Sequence, residues 1–406
     1  MTQQILLLGG KGRLVPAVHK ARQLGLCVIV ADGNPEAPAL AAADRGFCCD
    51  ISNDEKILQL AKREGVDGVL SLSEFGVVSA ARVSEELGLP GIPVESARNV
   101  TDKFRMRSVW QDNALPQPAF RLVRGLSDAM SAVEELGLPV ICKPCWSSAS
   151  RGVSRVRRAD ELANAAQQAL VHDRTGRALV ECDVTGDELS CEGFLLNGKF
   201  YLLSVADKTV ERTGRTCITW TLTYPSQRSD LTTQLESLLQ RATESLGVRS
   251  GCCHAELIVN QDDSYLLELA ARGGGGHIYT TIVEYVSGFD LLSASIKLAM
   301  GWSVEVQRTR SRAACYRFLR IPAGRLTAIR GLGEARDVPW IHEIDFCVQP
   351  GDDIAPTRDG ATRPGWIVAL GPSQEIVVTA AGKAAELLQF DVQSTEYSET
   401  TNVIDH

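Results

Sequence analysis

No stretch of this sequence approaches the roughly 20 consecutive apolar residues that a membrane-spanning helix needs. Positive charge is also in short supply: 42 Lys and Arg against 50 Asp and Glu leave a net charge of −8. That balance argues against general binding to nucleic acid or to acidic membranes, which favour a basic face, but it leaves room for a local basic pocket. The start, MTQQILLLGGKGRL, lacks the longer apolar run of a signal peptide and turns at once into glycines. A cytoplasmic protein with neither nucleic-acid nor membrane partners is therefore expected. Twelve cysteines are present, yet a zinc-type pattern is not: Cys142 and Cys145 have C-x-x-C spacing with no second pair at zinc-finger distance. Buried, reduced thiols are the expected state.

Two familiar nucleotide signatures are missing as well. There is no G-x-x-x-x-G-K-[ST] phosphate loop. Gly10, Gly12 and Asp32 imitate a dinucleotide fingerprint, but its third glycine position holds Val15. A tight turn is the simpler reading, and a nicotinamide-dependent oxidoreductase is the alternative of a different class.

What is present organises the chain. At 406 residues it exceeds the roughly 250–300 at which one core stops growing, so two or three domains are expected. Over residues 1–100 strands alternate with helices, which predicts an N-terminal α/β domain with a doubly wound parallel sheet. Gly9 to Gly12, Asp32 and Glu74 then lie at the carboxyl ends of strands, where ligands of such sheets bind. Between two proline-rich turns around residues 88–118 a single helix is expected. Residues 101–300 read as α+β lobes with antiparallel sheets, opening after about residue 120 with a helix and including a hairpin turned by Asn197-Gly198. Residues 301–406 read as a small β-rich α+β domain packing on the central lobe.

The most informative stretch is GCCHAELIVNQDDSYLLELAARGGGGH. It reads as two strands around a polar turn. If Val259 pairs with Tyr265, Glu256 faces Glu268, and His254 faces Ala270. Leu266, Glu268, Ala270 and Arg272 then share one face, and Leu267, Leu269 and Ala271 the core face. A one-residue slip would separate the two glutamates. Facing carboxylates repel, and a divalent cation with oxygen ligands, magnesium above all, compensates them best. The glycine run to Gly276 lets a backbone approach a ligand closely, and His277 follows, a lone histidine that reads as structural or as a substrate contact, not as a catalytic group.

A second stretch, VICKPCWSSASRGVSRV, carries Lys143 on an apolar strand, where it needs an anionic partner or a route to water. The serine-rich turn after it can form an anion-binding nest. Glu181 can accept from an adenine amino group and Glu188 from ribose hydroxyls. Lys208, Arg212 and Arg215, on a later loop, suit an anionic substrate or a solvated surface equally.

In this order, Lys103 in TDKFRMR, Lys143, Glu181 to Glu188 and HAEL…LELAARGGGG resemble the ATP-grasp superfamily, and nearly the whole chain resembles its carboxylate–amine ligase branch. The resemblance implies ATP contacts from Lys103, Lys143, Glu181, Val184, Glu188 and a phosphate-covering loop with Ser147, Ser148, Ser150 and Gly152. It implies Glu256 and Glu268 as ligands of Mg2+, with Mn2+ as a substitute, and Arg272 with Lys143 as catalytic groups. Many members carry asparagine as a third metal ligand where this chain has Ala270; water, a phosphate oxygen or His254 is the substitute. The loop is poorer in glycine than usual, so a stiffer loop is expected. Glu74, Lys208, Gly275, Gly276 and His277 are the substrate candidates. The implied activity is ATP-dependent joining of a small carboxylate, of the amino-acid class, to an amine through an acyl-phosphate, in a homodimer. A carboxylase-type enzyme activating bicarbonate is the alternative within the fold.

Overall fold

The computed structural model describes residues 2–212, 217–261 and 263–394. Near the N-terminus four parallel strands form a sheet in the order Arg45–Cys48, Cys27–Asp32, Gln4–Leu8, Gly68–Ser71. Ile5, Leu6, Leu7 and Leu8 are all fully buried, because helices cover both faces of the sheet. The helix Asp54–Glu64 shows why the local sequence folds this way. The Asn53 side chain accepts from the Lys56 amide at 3.0 Å, and Gly65 ends the helix at φ 63°. One element was not anticipated, the short helix Pro38–Ala42; the strand expected around Cys48 and Cys49 is the edge strand Arg45–Cys48. Cys48 at its end is exposed, as is Cys347, so the thiols are not uniformly buried.

The expected single helix after residue 90 is two, Val94–Thr101 and Lys103–Asp112. Asp102 divides them. Its carboxylate accepts from the amides of Phe104 (2.9 Å) and Arg105 (3.1 Å), satisfying donors that a continuous helix would have bonded internally. This break puts Lys103 at the start of a helix, with its amide bonded to the carbonyl of Cys145.

A small antiparallel sheet follows, in the order Phe120–Val123, Ala178–Cys182, Val140–Pro144, Ser154–Val156, backed by the helices Leu126–Leu136 and Leu162–Val171. Its first strand precedes the helix with which that region was expected to open. Of the remaining strands, Asp353–Ile354, Gly324–Arg330 and Gln389–Gln393 form a separate three-stranded sheet, while most build one eight-stranded antiparallel sheet. Its order is Asp263–Ala270, Gly251–Asn260, Asp187–Leu196, Lys199–Glu211, Ile218–Tyr224, Ala313–Phe318, Gly365–Gly371, Ile341–Phe346. Strands from beyond residue 300 thus continue the central sheet directly. Asn197 (φ 54°) and Gly198 (φ 84°) turn its central hairpin. The helix Thr232–Ser245 covers one face with Leu235, Leu238, Leu239 and Ala242, spaced as one apolar stripe. Each such buried leucine contributes about 1.5–3 kcal/mol. The other face packs on Ile278, Ile282, Leu291 and Leu292, and through them on Ile5, Leu7 and Val28 of the N-terminal sheet. The candidate site lies where these layers meet.

Candidate active site

The strand Val140–Pro144 sends Val140 and Cys142 into the core beneath its two helices. Lys143 therefore faces the other way, yet is only 7% exposed. Its ammonium lies 2.7 Å from Glu181 Oε1, and the second oxygen of Glu181 lies 2.9 Å from Arg107. Burial, with Arg107 and Lys103 nearby, outweighs Glu181 and pushes the lysine down to about 8. Glu181 is held below the usual carboxylate range despite burial, by Arg107 and Lys143. Both its oxygens are engaged by cations here.

Lys103 donates to the carbonyl of Ser147 at 2.8 Å and lies 3.1 Å from Glu268 Oε1. Burial opposes its charge, but Glu268 and Glu74 outweigh burial and raise its pKa. Glu256 and Glu268 are direct partners across the hairpin, and His254 pairs with Ala270. Toward the turn the anticipated register fails. Val259 pairs with Ser264, not Tyr265, because a bulge after Glu256 gives the second strand one extra residue. Leu266 is consequently in the core beside Leu257, while Leu267 is only half-buried.

Lys208 bridges two acids, Glu188 at 2.5 Å and Glu256 at 2.8 Å, and Arg212 lies 3.4 Å from Glu188. Burial would raise Glu256, but Lys208 and His254 hold it well below the carboxylate range. His254 is bonded through Nδ1 to Glu192 at 2.5 Å. Burial alone would lower its pKa; Glu192 instead holds it up at about 9. Arg272 Nε lies 2.6 Å from Glu74, which is buried just beyond the carboxyl end of the strand Gly68–Ser71. This pair joins the N-terminal sheet to the end of the glutamate hairpin. Asp32, by contrast, is occupied with its own turn, accepting from the amides of Gly10 (2.6 Å) and Asn34 (2.8 Å).

The Ser147–Gly152 loop holds left-handed backbone at Ala149 and Ser150 (both φ 58°) and Gly152 (φ 73°). It is fastened at several points. Ser147 Oγ donates to Arg151 O at 3.1 Å, and the Gly360 amide to Ala149 O at 2.9 Å. Ser148 is half-buried and Ser150 exposed. Val184 is half-buried in the connection between Cys182 and Asp187. Arg215 lies outside the described residues.

The structure thus joins Lys103, Lys143, Glu181, Glu188, Lys208, Glu256, Glu268, Arg272 and Glu74 into one network of alternating charges. Gly276 and His277 belong instead to a neighbouring aromatic cluster. Gly275 is exposed, with nothing within 4 Å of a side-chain carbon built on it. His277 sits between Tyr316 and Trp366, with ring centroids at 5.7 and 5.6 Å, and its Nε2 lies 3.1 Å from Glu343. Sequence reasoning missed Arg107 and Glu192. Arg107 lies on the buried helix face with Lys103, Met106 and Trp110, and that spacing is its signal. Glu192 is a fully buried acid in the middle of the strand Asp187–Leu196, and its second oxygen accepts from the Gly274 amide at 3.0 Å.

Comparison with known proteins agrees with this geometry. Residues 18–91 match the ATP-grasp N-terminal domain, 136–281 the ATP-grasp domain, and 317–393 the L-amino acid ligase C-terminal domain 2. The chain is 27% identical to the formate-dependent phosphoribosylglycinamide formyltransferase of Nitratiruptor sp., over 73% of this chain and 77% of that protein. It is 25% identical to the alanine–anticapsin ligase of Bacillus subtilis, over 58% of this chain and 54% of that one. Its fold matches the crystal structure of the L-amino acid ligase from Bacillus licheniformis, with TM-score 0.84, 23% identity, and 97% and 99% of the two chains covered. No described helix is long and apolar enough to cross a membrane. The glutamate hairpin, the two converging lysines and the three consecutive domain matches lead to one assignment: the chain belongs to the ATP-grasp superfamily, in its carboxylate–amine ligase branch.

Proposed function

We propose that the protein joins a small carboxylic acid, of the amino-acid class, to an amine at the expense of ATP, releasing ADP and phosphate. The observation that carries this reading is the facing pair Glu256 and Glu268, set within reach of Lys103 and beside Lys143 and Arg272. A carboxylate cannot be displaced by an amine directly, since oxide would have to leave. Transfer of the γ-phosphate to one of its oxygens creates a group that can leave. In this reading Lys103 and Lys143 hold the phosphates, the Ser147–Gly152 loop covers them, and residues Glu181 to Glu188 border the adenosine. Arg272 steadies the charge that develops on the transferred group. Holding the acid and amine together supplies much of the remaining acceleration.

The two glutamates fit magnesium. Both are oxygen donors on one face of a hairpin, and Glu256 is held strongly anionic. Among the described residues no group of three or more His, Cys, Asp and Glu is arranged to hold a metal. That suits an ion which takes one or two carboxylates and completes its shell with water and substrate phosphates. Bound there, Mg2+, or Mn2+ in its place, would neutralise phosphate charge. Between Glu192 and Glu256, His254 is held up at about 9 and so stays an imidazolium with no lone pair for a metal; water is the better stand-in for the missing asparagine at Ala270.

In the same reading residues 1–100 wall the substrate side, 101–300 grip the nucleotide, and 301–406 form a third part sharing the large sheet. A cytoplasmic homodimer completes the proposal. The match of residues 317–393 to an amino acid ligase domain favours ligation over bicarbonate activation. The test is a screen of acid and amine pairs with ATP and magnesium, reading ADP. Release that requires both partners supports ligation; release with bicarbonate and no acid would replace it with the carboxylase reading.

A further inference from the structure

Beside the charge network lie two arginines that the ligase chemistry above does not use. Arg13, in the turn after the first strand, places its guanidinium 4.8 Å from the centre of the Trp366 ring and donates to Tyr316 Oη at 3.3 Å. Arg363, just before the strand Gly365–Gly371, stacks 3.3 Å from the centre of Phe318. The Tyr316 and Phe318 rings lie 4.5 Å apart, so the two guanidiniums flank one aromatic floor. Among the described residues Arg363 otherwise donates only to the carbonyls of Gly360 and Thr219, at 2.9 Å each. Among the described residues no carboxylate forms an ion pair with either arginine. The nearby Glu343 turns Oε1 away from them, to accept from Trp366 Nε1 (2.9 Å) with His277 Nε2 3.1 Å away.

Two half-buried like charges without an ion-paired carboxylate are unfavourable; the aromatic faces, and the Asp359 charge felt at Arg363, compensate only in part. The strain registers on Arg363, which burial and the Arg13 charge push down to about 10. A planar oxyanion would relieve it, since the guanidinium fork matches a carboxylate. The place also fits. A side-chain carbon at Gly276 would lie 3.1 Å from Arg13 and 2.6 Å from Tyr316 Oη, and Gly276 is four residues beyond Arg272. On the other side, Gly360 next to Arg363 touches the tip of the phosphate loop at Ala149.

We propose that Arg13 and Arg363 clamp the non-reacting α-carboxylate of an α-amino acid that serves as the amine substrate. The inference rests on the ligase reading. A reacting carboxylate belongs at Arg272 and the phosphates, so an anion held beyond Gly276 is a spectator. An α-carboxylate fixed there sets the amino nitrogen one carbon away and turns it toward the activated acid.

The test uses the full-length protein with magnesium and a non-hydrolysable ATP analogue. Binding of a panel of L-α-amino acids and of their α-carboxamides is measured by calorimetry, alongside ADP release with ATP. At least one amino acid is expected to bind about 10–100-fold tighter than its carboxamide, the range of a charged hydrogen bond. Arg13→Gln and Arg363→Gln should each collapse that ratio with ATP-analogue affinity unchanged, and Arg13→Lys should restore part of it. Equal binding of acid and amide, or a ratio that survives both glutamine variants, overturns the clamp. So does discrimination seen only between aspartate and asparagine or glutamate and glutamine, which would move it to a side-chain carboxylate. ADP release without acid–amide discrimination leaves the ligase reading standing and removes the clamp. Carboxylate-dependent binding with no ligation does the reverse.

Discussion

Glu256 and Glu268 stand opposite each other on neighbouring strands, and each is neutralised by a different lysine, Lys208 at 2.8 Å and Lys103 at 3.1 Å. The pair is therefore already compensated in the protein alone. Relief of repulsion is not what a substitution here would read out.

Glu268→Gln should lower metal-free stability by about 1–3 kcal/mol, because the buried Lys103 ammonium loses its nearest counterion. Ligation should fall far more than stability does. Thermal melts in EDTA check this; a melting temperature equal to or above that of the unmodified protein would show that Lys103 does not depend on Glu268.

Lys143 gives a pH signature. With its pKa down at about 8, the destabilising cost of the buried ammonium is complete below that pH and is relieved as pH rises toward the unfolded value of 10.5. ATP phosphates favour the charged lysine, so nucleotide binding above about pH 8 should take up protons. Calorimetry in buffers of different ionisation enthalpy reads that uptake. Lys143→Ala should abolish it and weaken ATP binding while Arg107 still holds Glu181. Identical heats in every buffer would remove Lys143 from the phosphate site.

For Arg272, substitution by lysine keeps the charge but loses the planar fork. Turnover should drop by about 10²-fold or more, with ATP affinity little changed. Oxygen-18 in the acid substrate should appear in the released phosphate. Retention of all the label in the product, or AMP in place of ADP, would exclude the acyl-phosphate route.

The His254–Glu192 bond predicts a raised histidine. Its stabilising share is complete below pH 6.5 and lost as pH rises through about 9. In Glu192→Gln the imidazole should titrate lower, and the stability gap to the unmodified protein should be widest in mild acid. Proton NMR of the metal-free protein follows His254 directly; an unchanged titration curve would show that Glu192 does not set it.

Much of this site was legible, and the gaps have physical reasons. Lys143 stood out because a lone cation in an apolar strand demands a partner, but Glu181 and Arg107 come from other elements, and pairing across elements leaves no local pattern. Strict alternation placed Glu256 and Glu268 together because both lie on the far side of the bulge from the turn. The bulge itself was invisible, since LLEL is equally apolar in either register. The helix break at Asp102 was hidden because T-D-K continues a helical pattern unless the aspartate is seen to cap. Arg107 was overlooked because charged residues on helices are usually solvated.

The contact of Arg272 with Glu74 ties residues almost two hundred positions apart in sequence, and the Leu291–Ala299 helix is buried against the same N-terminal unit. The opening hundred residues are thus no interchangeable cassette. A chimaera that replaced them would have to bring its own acid to this spot and its own apolar cover for the helix. Swaps between relatives should succeed or fail according to whether the donor segment carries both.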